Sequence, residues 1–124
     1  CLGMQLLFEE GEEFGLNKGL GLIPGRVVKL GYAPKIPHMG WNELNILLPT
    51  PLTQSVKKPH VYFVHSYKAV TAREHLAATA DYYQEITAIA FCGNVYGTQF
   101  HPEKSGAEGI TMLKNFVALC EGNQ

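Results

Sequence analysis

The sequence carries little charge for its length, and none of it is concentrated. Of 124 residues, 10 are Lys or Arg and 11 are Asp or Glu, for a formal net charge of -1. Lys57-Lys58 is the sole basic doublet, and its Thr, Gln, Ser and Pro neighbours mark a solvated loop rather than a binding patch. With no basic stripe, nucleic acid is not expected as a main partner. No apolar run approaches the roughly 20 residues of a membrane span, and no signal peptide is visible. Cysteine is scarce as well. Cys1, Cys92 and Cys120 are an odd count at unrelated spacings, which argues against a disulfide framework and for a reducing, cytoplasmic setting. Neither Cys-x-x-Cys nor His-Glu-x-x-His occurs, and His60 and His65 fall on opposite sides of a strand, so no metal is expected. Gly15, Gly19, Gly21 and Gly25 lack the spacing of a dinucleotide fingerprint or a phosphate loop, so no nucleotide cofactor is expected either. No internal repeat or low-complexity segment occurs.

What is present suits one domain with one core. Leu2 to about Glu10 reads as a short helix, with Leu2, Leu6 and Leu7 as its apolar face and Gly11 as its stop. Glu9, Glu10, Glu12 and Glu13 read as a solvated acidic surface. Arg26 to Leu30 is a strand, and a second spans His38 to Ile46 after a loop over Pro34 to Pro37. Pro49 to Pro59 is a surface connection. Val61 to Val70 is apolar on both faces and reads as one interior strand. Leu76 to Tyr83 and Glu85 to Phe91 follow as short strands, and Cys92-Gly93-Asn94-Val95 suits a tight hairpin. Tyr96 to Phe100 is again a strand. The chain closes with a helix from about Ala107 to Cys120, capped by Ser105 or Gly106 and ended by Gly122. Its expected buried stripe is Ile110, Leu113, Phe116, Val117 and Cys120. Helix, many strands, helix is a mixed α/β pattern.

The last strand delivers His101 at its carboxyl end. Pro102 forces the residue before it into an extended conformation, and residues two apart then point the same way. His101 and Glu103 are thereby presented together, as an imidazole and a carboxylate to orient it. Cys1 supplies a nucleophile. Placed before a helix and beside an imidazolium, its thiol can ionise more readily than a free one. Gly3, two residues on, permits the tight approach of a strand-to-helix elbow. Alone, each residue has a plainer reading: Cys1 as a small buried hydrophobe, and His101 with Glu103 as a surface pair. Cys92 and Cys120 keep that plain reading.

Cys-Leu-Gly-Met-Gln at 1–5, with Thr-Gln-Phe-His-Pro-Glu-Lys-Ser at 98–105, resembles the class I (triad) glutamine amidotransferases. Pro37-His-Met-Gly-Trp-Asn42 and Tyr62-Phe-Val-His-Ser-Tyr67 are similar to the glutaminase subunits of imidazole glycerol phosphate synthases. The resemblance runs over essentially the whole chain. It implies a flavodoxin-like α/β sandwich around a mostly parallel sheet, with the middle strands as its antiparallel part and a small secondary sheet. It implies a Cys1, His101, Glu103 triad hydrolysing glutamine, with the Leu2 backbone N–H as oxyanion donor and glutamine held by Gln5 and by His65, Ser66 and Tyr67. Gln5 as an exposed helix residue and His65 as a satisfied core histidine remain the competing readings. It further implies a (β/α)8-barrel cyclase partner of lyase type in a heterodimer that works in histidine biosynthesis. His38, Met39, Gly40, Trp41, Asn42 and Lys104 are the interface candidates, with Trp41 as plain core the alternative. No metal or organic cofactor is implied.

Only Cys-x-Gly of the family's Gly-x-Cys-x-Gly elbow occurs in the chain, which has no initiator methionine. Residues 1–124 are therefore expected to be the C-terminal portion of one amidotransferase domain, short of its N-terminal strands and poorly active alone. Two rival readings stand. One is an N-terminal-nucleophile amidotransferase in which the Cys1 α-amine is the base. The other is an inert partner-binding fragment.

Overall fold

In the computed structural model the described residues are 2–12, 15–31 and 37–122. Cys1, Glu13 and most of the loop expected over Pro34 to Pro37 lie outside them. Two hairpin-linked strands form the centre. β8 (Leu76–Asp81) and β9 (Glu85–Cys92) are antiparallel, and β10 (Val95–Thr98) returns along β9 after a turn at Gly93-Asn94. With β5 (Asn45–Ile46) the order is β10-β9-β8-β5. Residues 76–80 and 86–90 are buried without interruption, as expected for strands covered on both faces. Five of these ten are alanine, a weak strand former, and burial between neighbours overrides that propensity.

β4 (His38–Glu43) and β6 (His60–His65) pair antiparallel as a separate ribbon, with His38 opposite His65 and Trp41 opposite Tyr62. A third sheet has the order β2-β1-β3-β7, from β1 (Glu10–Gly11), β2 (Asn17–Lys18), β3 (Arg26–Lys29) and β7 (Tyr67–Val70). Among the described residues β1 with β3 is the only parallel pair. The rest is the antiparallel portion of the expected sandwich. The Thr87 hydroxyl donates to the Ala69 carbonyl at 2.9 Å and ties β9 to β7.

Two apolar clusters fill the interior. One gathers Phe63, Phe100, Ile89, Leu44 and Met112, and the other Met4, Phe8, Ile23, Val27 and Ala69. Several expected elements change here for tertiary reasons. The first helix, α1, is only Leu2–Leu6, and Gly11 lies in a strand instead of ending the helix. Met4 carries its burial and Phe8 is buried just beyond its end, while Leu6 is half exposed. The strand expected over His38 to Ile46 breaks at Leu44, which turns wholly inward. The run Val61 to Val70 breaks at Ser66, because β6 and β7 belong to different sheets.

The closing helix, α2, runs Gly106–Gly122 and buries Gly109 and Met112. Ile110, Leu113, Phe116 and Val117 are 39–55% exposed, and Cys120 is exposed too, so the expected stripe faces outward. Asn115 explains part of this. Its amide donates to the carbonyls of Leu52 (2.9 Å) and Gln54 (2.8 Å), which fixes a different face of α2 against the turn at Pro51–Thr53. No helix among the described residues is long and apolar enough to cross a membrane.

Candidate active site

β10 ends at Thr98, and the chain passes through buried Gln99 and Phe100 to His101. Pro102–Lys104 form a single 3-10 turn. His101 keeps the extended conformation that a following proline demands, at φ -100 and ψ 99. Its Nδ1 lies 2.8 Å from Glu103 Oε1. A carboxylate only accepts, so Nδ1 carries the proton of this bond and Nε2 is the nitrogen left facing away from Glu103. The His101 side chain is 27% exposed and that of Glu103 55%, so the pair is open to solvent.

The backbone beneath this pair is pinned to β6. The His101 N–H donates to the Tyr62 carbonyl at 3.0 Å. Ser105 Oγ accepts from the Tyr62 N–H at 3.0 Å and donates to the His101 carbonyl at 2.6 Å. The expected capping of α2 by Ser105 gives way to this tie, which occupies its hydroxyl. Gly109 completes the support. A Cβ there would lie 2.1 Å from the Pro102 carbonyl oxygen, so only glycine lets α2 seat against the His101–Glu103 turn.

α1 lies across the same strand. A Cβ on Gly97 would sit 2.6 Å from Met4 Cγ and 3.0 Å from Leu7 Cδ1, so this glycine sets how closely the helix after Cys1 approaches β10. Cys1 and the Leu2 side chain lie outside the described residues. Five residues sum to only a small helix dipole. Gln5, in the middle of α1, is half-buried.

The segment expected to hold substrate is where the chain changes sheets. His65 ends β6, Ser66 belongs to neither sheet and Tyr67 opens β7. The Ser66 carbonyl accepts from Leu30 N–H at 3.0 Å. His65 is buried, with Nδ1 2.8 Å from the Tyr67 carbonyl and Nε2 2.8 Å from His38 Nδ1. Burial lowers the pKa of both rings from 6.5 to about 4, against the opposing effect of the Tyr67 carbonyl on His65. Both are neutral at physiological pH.

Of the residues expected at a partner surface, Met39 (60%) and Trp41 (57%) are exposed, and so is Lys104. Gly40 is half-buried, and Asn42 donates its amide to the Asp81 carbonyl at 2.9 Å. His38 is a correction: at 2% exposure it cannot touch a partner, because strand alternation turns it inward while Met39 and Trp41 turn out. Sequence reasoning also missed Tyr62, Gly97, Ser105 and Gly109 as supports. Only the two glycines, placed inside a strand and a helix where glycine is unfavourable, left a signal.

The histidine–carboxylate pair lies just beyond β10, and the helix that follows Cys1 in sequence is laid on that strand. The chain belongs to the glutamine amidotransferase class-I family, which it matches over residues 1–120. It is 52% identical to the imidazole glycerol phosphate synthase subunit HisH of Geobacillus sp. (strain WCH70), across 98% of this chain and 61% of that protein. HisH of Shouchella clausii (strain KSM-K16) is 52% identical across 99% and 62%, and HisH of Listeria monocytogenes (strain EGD-e) 51% across 100% and 62%. The chain thus spans about three fifths of the length of these relatives. Among solved structures it resembles a candidate GMP synthase component from Thermoplasma acidophilum. The TM-score is 0.65 at 21% identity, covering 80% of this chain and 50% of that one, which supports the fold alone.

Proposed function

We propose that residues 1–124 are the larger part of the glutaminase subunit of an imidazole glycerol phosphate synthase, working in the cytoplasm in histidine biosynthesis. The observation that carries this reading is the 2.8 Å His101–Glu103 pair, pinned to β6 just past the strand that also supports the helix following Cys1. In the proposed reaction the Cys1 sulfur attacks the side-chain carbonyl carbon of glutamine, and the Leu2 N–H stabilises the oxyanion. His101 Nε2 takes the thiol proton and passes it to the departing nitrogen, which leaves as ammonia from a Cys1 thioester. His101 Nε2 then deprotonates a water that attacks the thioester and hands that proton to the departing Cys1 sulfur. Glutamate and free thiol result. Glu103 holds the His101 tautomer throughout. Gln5, His65, Ser66 and Tyr67 are the proposed glutamine contacts.

The ammonia goes to a cyclase subunit of (β/α)8-barrel type, proposed to dock on Met39, Trp41 and Lys104 in a heterodimer. Support comes from the names and identities of the relatives and from the exposure of these side chains. The test is glutamine turnover in a chain of the relatives' length, with the cyclase present. His101→Asn should abolish nearly all turnover, and Glu103→Gln should cost less. A more damaging Glu103→Gln in a folded protein would overturn the assignment. Residues placed ahead of Cys1 should leave turnover intact, whereas an α-amine base would be destroyed by them.

A further inference from the structure

His38 sits opposite His65 on the β4–β6 ribbon, buried, with its ring between two aromatic faces. Phe63 stacks on one side at 4.6 Å between centroids and 20° between planes, and Tyr82 stacks at 4.0 Å and 19°. The ring cannot tilt without losing both contacts. The hydrogen bonds run in one direction. A carbonyl only accepts, so His65 Nδ1 carries the proton it gives to Tyr67. A neutral His65 therefore has a bare Nε2, and His38 Nδ1–H must be the donor to it. The Tyr67 carbonyl is free to accept because of the sheet register. Leu30 N–H already bonds the Ser66 carbonyl, so Tyr67 opposite Lys29 is a non-hydrogen-bonded pair and its carbonyl turns away from β3.

We propose that His38 is a positioning residue for the glutamine site: by donating Nδ1–H to the bare Nε2 of His65 it holds that ring's plane, and through the His65 bond to the Tyr67 carbonyl it sets the conformation of the 65–67 segment. This rests on the glutaminase reading above, which makes that segment a substrate contact. Its neighbours on β4 carry the consequence further. Met39 and Trp41 point outward from the strand that holds His38 inward, so a shift of β4 on the outer face reaches residues 65–67 through the His38–His65 hydrogen bond as well as through the β4–β6 ladder.

The test uses a chain of the relatives' length with its cyclase, comparing wild type with His38→Phe and His38→Asn. Phenylalanine keeps the stacked ring and deletes the donor. Asparagine loses the ring but can place an amide N–H where Nδ1 was. His38→Phe should raise KM for glutamine about tenfold with a smaller change in kcat, since a buried acceptor on His65 loses its partner. His38→Asn should recover most of that loss. In 15N spectra of the histidines, both wild-type rings should be neutral Nδ1–H tautomers, and in His38→Phe the His65 Nε2 resonance should shift towards that of an unbonded imine nitrogen while Tyr67 keeps the proton on Nδ1. An unchanged KM in a folded His38→Phe protein overturns the proposal, as does equal impairment by both variants, which would make packing the cause. A wild-type protein without glutamine turnover would instead sink the glutaminase reading and the proposal together, and the missing baseline would identify that outcome.

Discussion

Replacing Gly109 by alanine should destabilise the protein and disable the site, the reverse of what Gly→Ala does in an open helix. In a solvent-facing helix the change stabilises by about 1 kcal/mol through helix propensity. Here the new Cβ would lie 2.1 Å from the Pro102 carbonyl oxygen and 2.8 Å from Ser105 Cβ. Carbon–oxygen contacts settle near about 3.3 Å, so α2 and the turn must part by roughly 1 Å. Both obstructing atoms belong to a turn that Ser105 and Tyr62 hold in place, so no flexible side chain absorbs the strain. Overpacking of this kind costs about 1–3 kcal/mol, which cancels or exceeds the propensity gain. Pro102 lies between His101 and Glu103, so the displacement passes directly into the pair. A misplacement of about 1 Å lowers turnover on the order of a hundredfold. Urea unfolding and glutamine turnover, in a chain of the relatives' length with its cyclase, would measure both effects. A variant more stable by about 1 kcal/mol with wild-type turnover would refute the reasoning, and would place the turn elsewhere than against α2.

Three further outcomes are expected. Ser105→Ala removes the acceptor of the Tyr62 N–H and the donor to the His101 carbonyl, costing about 1–3 kcal/mol in urea unfolding, with turnover falling alongside; a neutral effect on both would mean the tie is dispensable. Trp41→Ala should weaken cyclase association by about tenfold or more in a titration while leaving the melting temperature unchanged, because the ring is 57% exposed; a large loss of stability would assign it to the core. His38 and His65 have folded pKa values of about 4 against 6.5 unfolded, so the unfolded chain binds more protons between those values, and stability present above about pH 6.5 is lost as pH falls towards 4. At about pH 5 the loss is roughly 2 kcal/mol per ring, and His38→Phe should flatten that part of the pH–stability curve relative to wild type; identical slopes would contradict buried neutral rings.

Local chemistry made part of this protein legible. Proline after His101 dictates an extended residue there, as expected, but the His101–Glu103 pair is closed by the 3-10 turn Pro102–Lys104 and not by the extended run that strand alternation suggested. The turn at Gly93-Asn94 likewise depends on nearby residues. What stayed hidden was decided by partners distant in sequence. Nothing in Val-His-Ser-Tyr announces a break at Ser66, since the break exists because β6 finds β4 and β7 finds β3. The outward face of α2 misled for a related reason. Counting apolar residues favoured Ile110, Leu113, Phe116 and Val117, while the body of the protein is met by Gly109, Met112 and Asn115. A glycine and an asparagine leave no mark on a hydrophobic stripe. His38 shows the limit of motif reading, because one six-residue stretch sends some side chains outward and one inward, and only strand register separates them.

The most direct test of the triad is the site of attack by a glutamine-mimicking electrophile on a chain of the relatives' length. Cys120 is exposed and Cys92 is half-buried, so simple access would favour Cys120. Activation by His101 predicts the opposite. Mass spectrometry should find the label on Cys1 alone, at one equivalent, with protection by excess glutamine and a strong slowing in His101→Asn. Label distributed to Cys120 or Cys92 at a comparable rate, or labelling of Cys1 indifferent to His101→Asn, would contradict a Cys1–His101–Glu103 glutaminase.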